Sequence, residues 1–466
     1  MTENAQTLNE QEAIAAWNAA LDRIEDQPSW IAAARQAIID AGLVFQGTPA
    51  CRVARPRLMA ADQMAVDERV ITAATTALLA AGRRLLADHT LRRACLGGWV
   101  DDGPFADLFY LDPGYSPEIV FGRFDGVRRA DGLQLIEFNG GVPGGAAPND
   151  LTAGVMQAWS PFRSLAERYT VEVPAIGPCV IASLLDAWHD FGGTGSPFVV
   201  FAVPNELKDR IAPGLRFFLA LAARQGLETV MVDPGELTRQ AGALWLGDRR
   251  VEVVVRVFFT SMLASLGERI EPLMAAVRAG EVCMATSIRS GLYGHKSLFA
   301  VITDPDIALD LPVEQRQLAM QHIPWTRVLA DRETTGPEGD RVKLLQYAGQ
   351  HRAELVLKPA DGTGGAGVVL GWETAAEPWR DALHHALGQG VWILQGRVPL
   401  TTEAFPLLEP GFPKVAFQDD HNPIVCNGRI AGYMVRLSAT SGITNLSTGT
   451  GSVTAAFLVS GRSSGY

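Results

Sequence analysis

The sequence predicts a mixed α/β protein with a helical opening, a small open-sheet α/β unit near the middle and a strand-rich tail. Three observations carry that expectation. Apolar residues recur at three-and-four spacing through 9–25, 28–42 and 61–88, as amphipathic helices require. A strand, helix, strand order runs from 197 to 232. Finally, 47 Gly and 27 Pro among 466 residues, with no collagen or linker period, put many turns between short elements and disfavour an all-helical bundle.

Along the opening, Pro28 stands at a helix start and Gly42 just past a helix end. Residues 118–127 and 133–139 read as two strands joined by a short polar turn, followed by a Gly/Pro-rich stretch at 140–148. The alternating section places a strand at 197–202, a helix at 205–225 and a strand at 228–232. A hairpin then turns at Gly247-Asp248 into a strand at 251–259. Helices are expected around 296–303 and 313–322, and strands at 355–358, 368–372, 391–395 and 430–437. No repeat is visible, and the end at 460–466 is expected to fray. The chain thus divides into a helical region (1–110), a hairpin-bearing segment (111–195), a small α/β subdomain (196–290) and a strand- and glycine-rich region (291–466).

Composition narrows the function classes. Lys plus Arg number 40 against 51 Asp plus Glu, a formal charge of −11 with no basic block, so nucleic acid is not an expected partner and any phosphate must be held locally. The longest apolar runs, 198–204 and 251–259, are strand-sized, so no membrane partner is expected. The acidic, polar start at 1–18 is unlike a secretory signal, and the five scattered cysteines (Cys51, Cys95, Cys179, Cys283, Cys426) form no Cys-x-x-Cys. Buried thiols in a reducing, cytoplasmic setting are expected, without structural zinc. The eight histidines form neither a His-Glu-x-x-His nor a triad pattern, so satisfied or solvent-facing rings are expected, including His384-His385 on an amphipathic helix.

Two local patterns could carry chemistry. In Arg123-Phe124-Asp125 and Glu137-Phe138-Asn139 the polar residues are two apart, so in strands they share one face, while Phe124, Ile136 and Phe138 take the other. With a three-residue turn Ala130-Asp131-Gly132, Asp125 lies opposite Glu137 and Arg123 opposite Asn139. Facing carboxylates need a cation or a shared proton between them, and carboxylate and amide oxygens are the hard ligands magnesium prefers. A solvated hairpin face with incidental charges is the alternative.

The second pattern is Leu355-Val356-Leu357-Lys358-Pro359, then Asp361-Gly362-Thr363-Gly364-Gly365-Ala366-Gly367, then another apolar stretch. The glycines spell Gly-x-Gly-x-x-Gly, but a dinucleotide fingerprint requires a helix directly after them, and here a strand follows. What remains is a glycine-rich flap whose backbone N–H groups can close over phosphates, with Lys358 as a point charge, or simply a glycine-rich hairpin with a surface lysine. Lys296, at a helix start after Gly294, and Arg436, inside an apolar strand, read individually as snorkelling residues.

Taken in order, Arg123, Asp125, Glu137, Asn139, Lys296, the Leu-Lys-Pro at Lys358, Ile393-Leu394-Gln395 and the tail from Asn422 through Arg436 to Thr440 resemble the circularly permuted ATP-grasp family that includes glutathionylspermidine synthetase. The resemblance covers 118–145 and about 197–459. It implies a permuted ATP-grasp fold with ATP and Mg2+ as cofactors. Asp125, Glu137 and Asn139 would hold the metal, and Arg123 and Arg436 would stabilise the transferring phosphate. Lys296 and Lys358 would grip the nucleotide, Gly362, Gly364 and Gly365 would cover it, and the segment from Gln395 would meet adenine.

The resemblance further implies an ATP-dependent carboxylate–amine ligase that works through an acyl phosphate on small-molecule acid and amine substrates. After Glu137-x-Asn139 the chain has Gly140-Gly141-Val142-Pro143-Gly144-Gly145 where the glutathionylspermidine enzymes resemble Ala-Asp-Thr-Pro, so their substrates do not carry over. Nor do Cys51 and His89 form the amidase pairing of the bifunctional members. A phosphotransferase of the same fold and a non-catalytic nucleotide-binding module are the alternatives.

Overall fold

The structure, a computed structural model, describes residues 3–45, 47–129, 131–362, 364–439 and 451–462. Ala130 of the expected turn, Thr363 of the glycine loop, Thr440 of the tail and 463–466 of the expected frayed end lie outside the described residues.

The opening is helical as the spacing predicts, with helices Glu3–Asp22, Gln27–Asp40 and Ala61–Ala87. Asp26 caps the second, accepting from Ser29 N at 3.1 Å, and a proline occupies its first turn. The third is long and apolar enough to cross a bilayer by length and composition, which the strand-sized runs did not reveal. It is packed as a core helix, with 61% of that apolar window buried inside the protein. Its buried Asp67 accepts from Tyr433 Oη at 2.7 Å and pairs with Arg128.

The small α/β unit forms a four-stranded parallel sheet in the order Cys283–Met284, Val253–Arg256, Val199–Ala202, Thr229–Val232, with helix Asn205–Arg224 joining the last two. The expected strand at 251–259 is divided. Arg249–Val251 closes a separate three-stranded antiparallel sheet, and the chain changes sheets at Glu252, whose carboxylate accepts from Phe198 N at 2.8 Å.

An eight-stranded sheet forms the body. Its main path runs Arg57–Ala60, Gly451–Gly461, Arg429–Ser438, Lys414–Cys426, Phe121–Arg129, Gly132–Gly140. A smaller antiparallel sheet stands apart in the order Thr326–Val328, Trp392–Gly396, Leu355–Pro359, Val369–Leu370. One face of the smaller sheet packs Leu355, Leu357 and Leu394 onto Trp379, Leu383 and Leu344, a core of its own beside the main one. By the two-residue alternation of a strand, Val356 and Lys358 take the opposite face. The strand expected at 368–372 is only Val369–Leu370, because the chain turns at Gly371, whose N–H donates to Leu355 O at 3.0 Å.

Between strands Phe121–Arg129 and Gly132–Gly140, Asp125 pairs with Glu137 and Arg123 with Asn139, the expected register. The route to it differs from the expected three-residue turn. The ladder continues to Arg129 opposite Gly132, and a bulge between Asp125 and Gly126 absorbs the resulting one-residue slip. Ile136 is the extra residue, and it lines the cavity described below instead of sharing the face of Phe124 and Phe138. Those two rings pack together, 4.6 Å between centroids.

Four of the cysteines are buried as expected; Cys179 is exposed. Burial pushes the Cys51 thiol up to about 12, the reverse of an activated nucleophile.

Candidate active site

Every residue singled out from the sequence lines one cavity of about 440 Å³ between the two sheets: Arg123, Asp125, Glu137, Asn139, Lys296, Lys358, Gly362, Gly364, Gly365, Gln395 and Arg436. The hairpin supplies one wall. Asp125 is at its centre, buried, with Oδ1 accepting from Arg123 Nε at 2.7 Å and from Asn139 Nδ2 at 3.1 Å. Its Oδ2 accepts from Arg436 Nη2 at 2.8 Å and from Arg123 Nη2 at 3.3 Å. Burial alone would raise this carboxyl, but the charges of Arg123 and Arg436 overcome it and hold the group well below its usual range. Arg123 also donates to Gly144 O at 2.6 Å, which ties the glycine loop after the hairpin to the site.

Arg436 is no snorkelling residue. Its strand pairs with Lys414–Cys426, and Asp420, its direct cross-strand partner, accepts from Nε at 2.8 Å and from the Arg436 backbone N–H at 3.1 Å. Asp420 in turn accepts from Asn422 Nδ2 at 2.7 Å, and Asn422 Oδ1 accepts from Gly126 N at 3.1 Å. The bulge's free N–H is thereby satisfied through a chain of side chains that ends on Arg436. Sequence reasoning did not select Asp420, although Gln418, Asp420 and Asn422 alternate along one strand face, the same two-residue signal that marked the hairpin.

The lysines close the opposite wall. Lys296 lies at the start of helix Ser297–Thr303, its N–H bonded to Ala360 O at 2.9 Å; its Nζ reaches Glu137 Oε2 at 3.4 Å and Gly362 O at 2.5 Å. It is buried, again unlike a surface residue. The preceding His295 packs on Trp99 of the opening region at 5.3 Å, and burial, with Lys296 adjacent, pushes its imidazole down to about 3, so it is neutral. Lys358 Nζ donates to Gln395 Oε1 at 2.7 Å and to Ile136 O at 3.5 Å. Burial lowers Lys358 to about 8 despite the nearby Glu137 charge.

Gln395 is buried, and its side chain is held between Lys358 and Thr326 Oγ1, to which it donates at 3.1 Å. It therefore orients the lysine, while Gly396, Arg397, Val398, Pro399 and Leu400 after it line the cavity. The glycine segment joins two antiparallel strands, as expected of a flap, and Gly364 and Gly365 take φ of 64° and 79°, backbone that glycine adopts without strain. At the end of the hairpin, a Cβ on Gly140 would lie 2.4 Å from Ser290 O, so only glycine lets the two backbones approach.

Two further side chains went unpredicted. Arg256 ends a parallel strand, is buried, and donates to the carbonyls of Thr286, Ser287 and Phe258 with no carboxylate among these acceptors. Burial lowers it to about 10. His421 is fully buried with Nε2 2.7 Å from Asp419 Oδ2 and no partner for Nδ1, a departure from the expected satisfied or solvent-facing rings.

The oxygen donors are of the type magnesium accepts, but both oxygens of Asp125 are engaged by guanidinium groups. Among the described residues no group of three or more His, Cys, Asp and Glu side chains is gathered to hold a metal. A site of this kind suits a magnesium ion that brings phosphate oxygens with it, since such ions bind through one or two carboxylates plus substrate phosphates.

No family model matches the chain, and no curated protein matches its sequence. Solved structures do. An apo glutathione synthetase-like effector from Globodera pallida is 13% identical with a TM-score of 0.53, over 92% of this chain and 96% of that one. A protein described as a gamma-glutamylcysteine synthetase from Methylobacillus flagellatus KT is 12% identical with a TM-score of 0.40, over 72% and 80%. At this identity, the likeness to the first shows that the chain shares the mixed α/β fold of a glutathione synthetase-like protein along nearly its whole length.

Proposed function

We propose that the chain is an ATP-dependent carboxylate–amine ligase. One observation supports this most: basic, acidic and glycine residues from positions 123 to 436 meet in a single cavity under a glycine flap. A carboxylate is a poor electrophile, because its leaving group would be oxide; phosphorylation supplies a better one. In this reading Lys296 and Lys358 take the phosphates, while Arg123 and Arg436 neutralise the group in transfer. Asp125, Glu137 and Asn139 would hold a magnesium ion bound with the nucleotide, and the ion would supply positive charge against the phosphates and the two carboxylates. The flap from Gly362 to Gly367 would exclude water, which otherwise hydrolyses an acyl phosphate.

The test is ADP release from MgATP across pairs of carboxylic acids and amines, followed by mass analysis of the product. The ligase reading expects release that requires both partners and a product lighter by one water than their sum. Release that needs no amine, with a phosphorylated product, would instead assign a phosphotransferase. ATP binding without turnover in any mixture would assign a binding module.

A further inference from the structure

Lys296 and His295 are adjacent in the chain and face different ways: Lys296 lines the cavity, and the His295 ring lies against Trp99 of the helical opening, 5.3 Å between ring centroids. Trp99 is itself braced by Phe109, 5.1 Å away. The same region grips the 3-10 helix Arg289–Gly294 that leads into this pair. Arg289 donates to Phe109 O at 2.9 Å and to Tyr110 O at 2.5 Å. The Tyr293 ring lies over Gly82 of helix Ala61–Ala87, where a Cβ would be 2.5 Å from Cε1, and its Oη donates to Glu118 at 2.6 Å. On the other side, His295 Nδ1 is 2.6 Å from Ser297 Oγ, and the Lys296 N–H is bonded to Ala360 O at 2.9 Å. The backbone that carries Lys296 is therefore fixed from two directions, by the opening region and by the chain at the end of strand Leu355–Pro359.

We propose that Trp99 is a positioning residue for Lys296: through the His295 ring it keeps the lysine aimed at Glu137 and at the first glycine of the flap. This rests on the ATP reading for what Lys296 grips, and it gives the helical opening a part in the site. A lysine is a point charge on a flexible four-carbon stem, so its ammonium is placed by the backbone beneath it and by its partners. Those partners are Glu137 Oε2 at 3.4 Å and Gly362 O at 2.5 Å, and an entering phosphate would compete with both for the ammonium. Only the backbone is left to hold the direction, and the indole is the surface against which it rests. Burial keeps His295 neutral, so the stack adds no second cation beside the ammonium.

Two measurements test this in wild type, Trp99→Ala, Trp99→Phe, Lys296→Met and the double variant Trp99→Ala/Lys296→Met, each well below its melting temperature. The first needs no ligand: acetic anhydride labels lysines of the folded protein, and mass analysis gives the rate at Lys296 relative to the exposed Lys414. The second is the dissociation constant of MgATP. Trp99→Ala should speed labelling of Lys296 several-fold. It should also weaken MgATP about 5- to 10-fold, part of the roughly 10- to 100-fold loss expected of Lys296→Met when one charged donor to phosphate is removed. Trp99→Phe, which keeps a ring, stays within about twofold of wild type. In the Lys296→Met background Trp99→Ala costs nothing further, within about twofold. If Trp99→Ala weakens MgATP equally with and without Lys296, the indole supports the fold at large and the proposal is refuted. If Trp99→Ala labels and binds as wild type does while Lys296→Met binds weakly, the proposal is refuted and the ATP reading survives. If wild type binds no MgATP, the ATP reading falls, and the labelling rates alone decide whether Trp99 sets the lysine.

Discussion

Lys358 should make nucleotide binding proton-linked in a range where few other groups titrate. Its ammonium is buried against the neutral acceptors Gln395 Oε1 and Ile136 O, and burial brings it to about 8 from its usual 10.5. At pH 7 roughly nine-tenths of the lysines carry charge, and at pH 9 roughly one-tenth. Unfolded chain binds the proton more tightly than folded between pH 8 and 10.5. This group's contribution to folding stability therefore rises with pH across that window, by about 3 kcal/mol in all. A phosphate placed against Nζ reverses the shift. MgATP should then bind with uptake of about 0.1 proton at pH 7 and close to one at pH 9, and affinity should fall roughly tenfold per pH unit above 8. Calorimetry in buffers of different ionisation heat measures that uptake directly. Lys358→Met should bind MgATP more weakly, with the uptake and the pH slope gone. Uptake that is absent at pH 9, or that persists in Lys358→Met, would refute the placement of this lysine against phosphate.

Three other outcomes follow from the same geometry. Glu137→Gln should abolish turnover of MgATP with the thermal melting unchanged, because Glu137 is half-buried at the cavity wall with Lys296 3.4 Å away; near-normal activity would remove it from the chemistry. Asp125→Ala should cost about 3–5 kcal/mol in urea unfolding at pH 7, since Arg123 and Arg436 are left facing each other without their shared anion. Because the Asp125 carboxyl is held below its usual 3.8, its stabilisation is complete above that pH and is lost on acidification, so the two proteins should converge in strong acid. Trp379→Ala should cost about 3–5 kcal/mol by emptying the core under the smaller sheet, and MgATP affinity should fall with it; a stable variant that still binds would show that sheet to be held from elsewhere.

The hairpin was legible because a period of two leaves its mark in any strand with one functional face: Arg123, Asp125, Glu137 and Asn139 could be assigned to one side, while their pairing came out as expected only because the tighter turn and the bulge offset each other. The bulge was not legible, because an extra residue in a ladder is a backbone event with no side-chain signature; Ile136 looks like any other alternating apolar residue. Asp420 was hidden for a different reason. Its strand reads Gln-Asp-Asp-His-Asn-Pro before it turns apolar, which resembles a loop, and Pro423 argues against a central strand. The strand stands because Arg436 and Arg57 on its two sides pair Asp420 and Asp419. The burial of Lys296 and Arg436 depends on acids far away in sequence, which no local window contains.

The same pairing would let an acidic chain present the proposed phosphate site. The cavity wall carries five basic side chains (Arg123, Lys296, Lys358, Arg397, Arg436) and four acidic ones (Asp125, Glu137, Glu373, Asp420), so it is close to neutral before any ligand enters. Neutrality keeps the buried cations affordable: unpaired, Arg123 and Arg436 would repel each other around the place of Asp125 and each would bear its full desolvation penalty. It also limits what the protein can do alone. One surplus positive charge does not balance a triphosphate, and each guanidinium that turns to phosphate uncovers a carboxylate. In the ATP reading a divalent cation delivered with the nucleotide would supply the missing positive charge, and Asp125 and Glu137 are the carboxylates that would hold it. The carboxylates hold the arginines in the free protein and would hold the ion in the complex, so a triphosphate offered without magnesium should be held far more weakly than its magnesium complex.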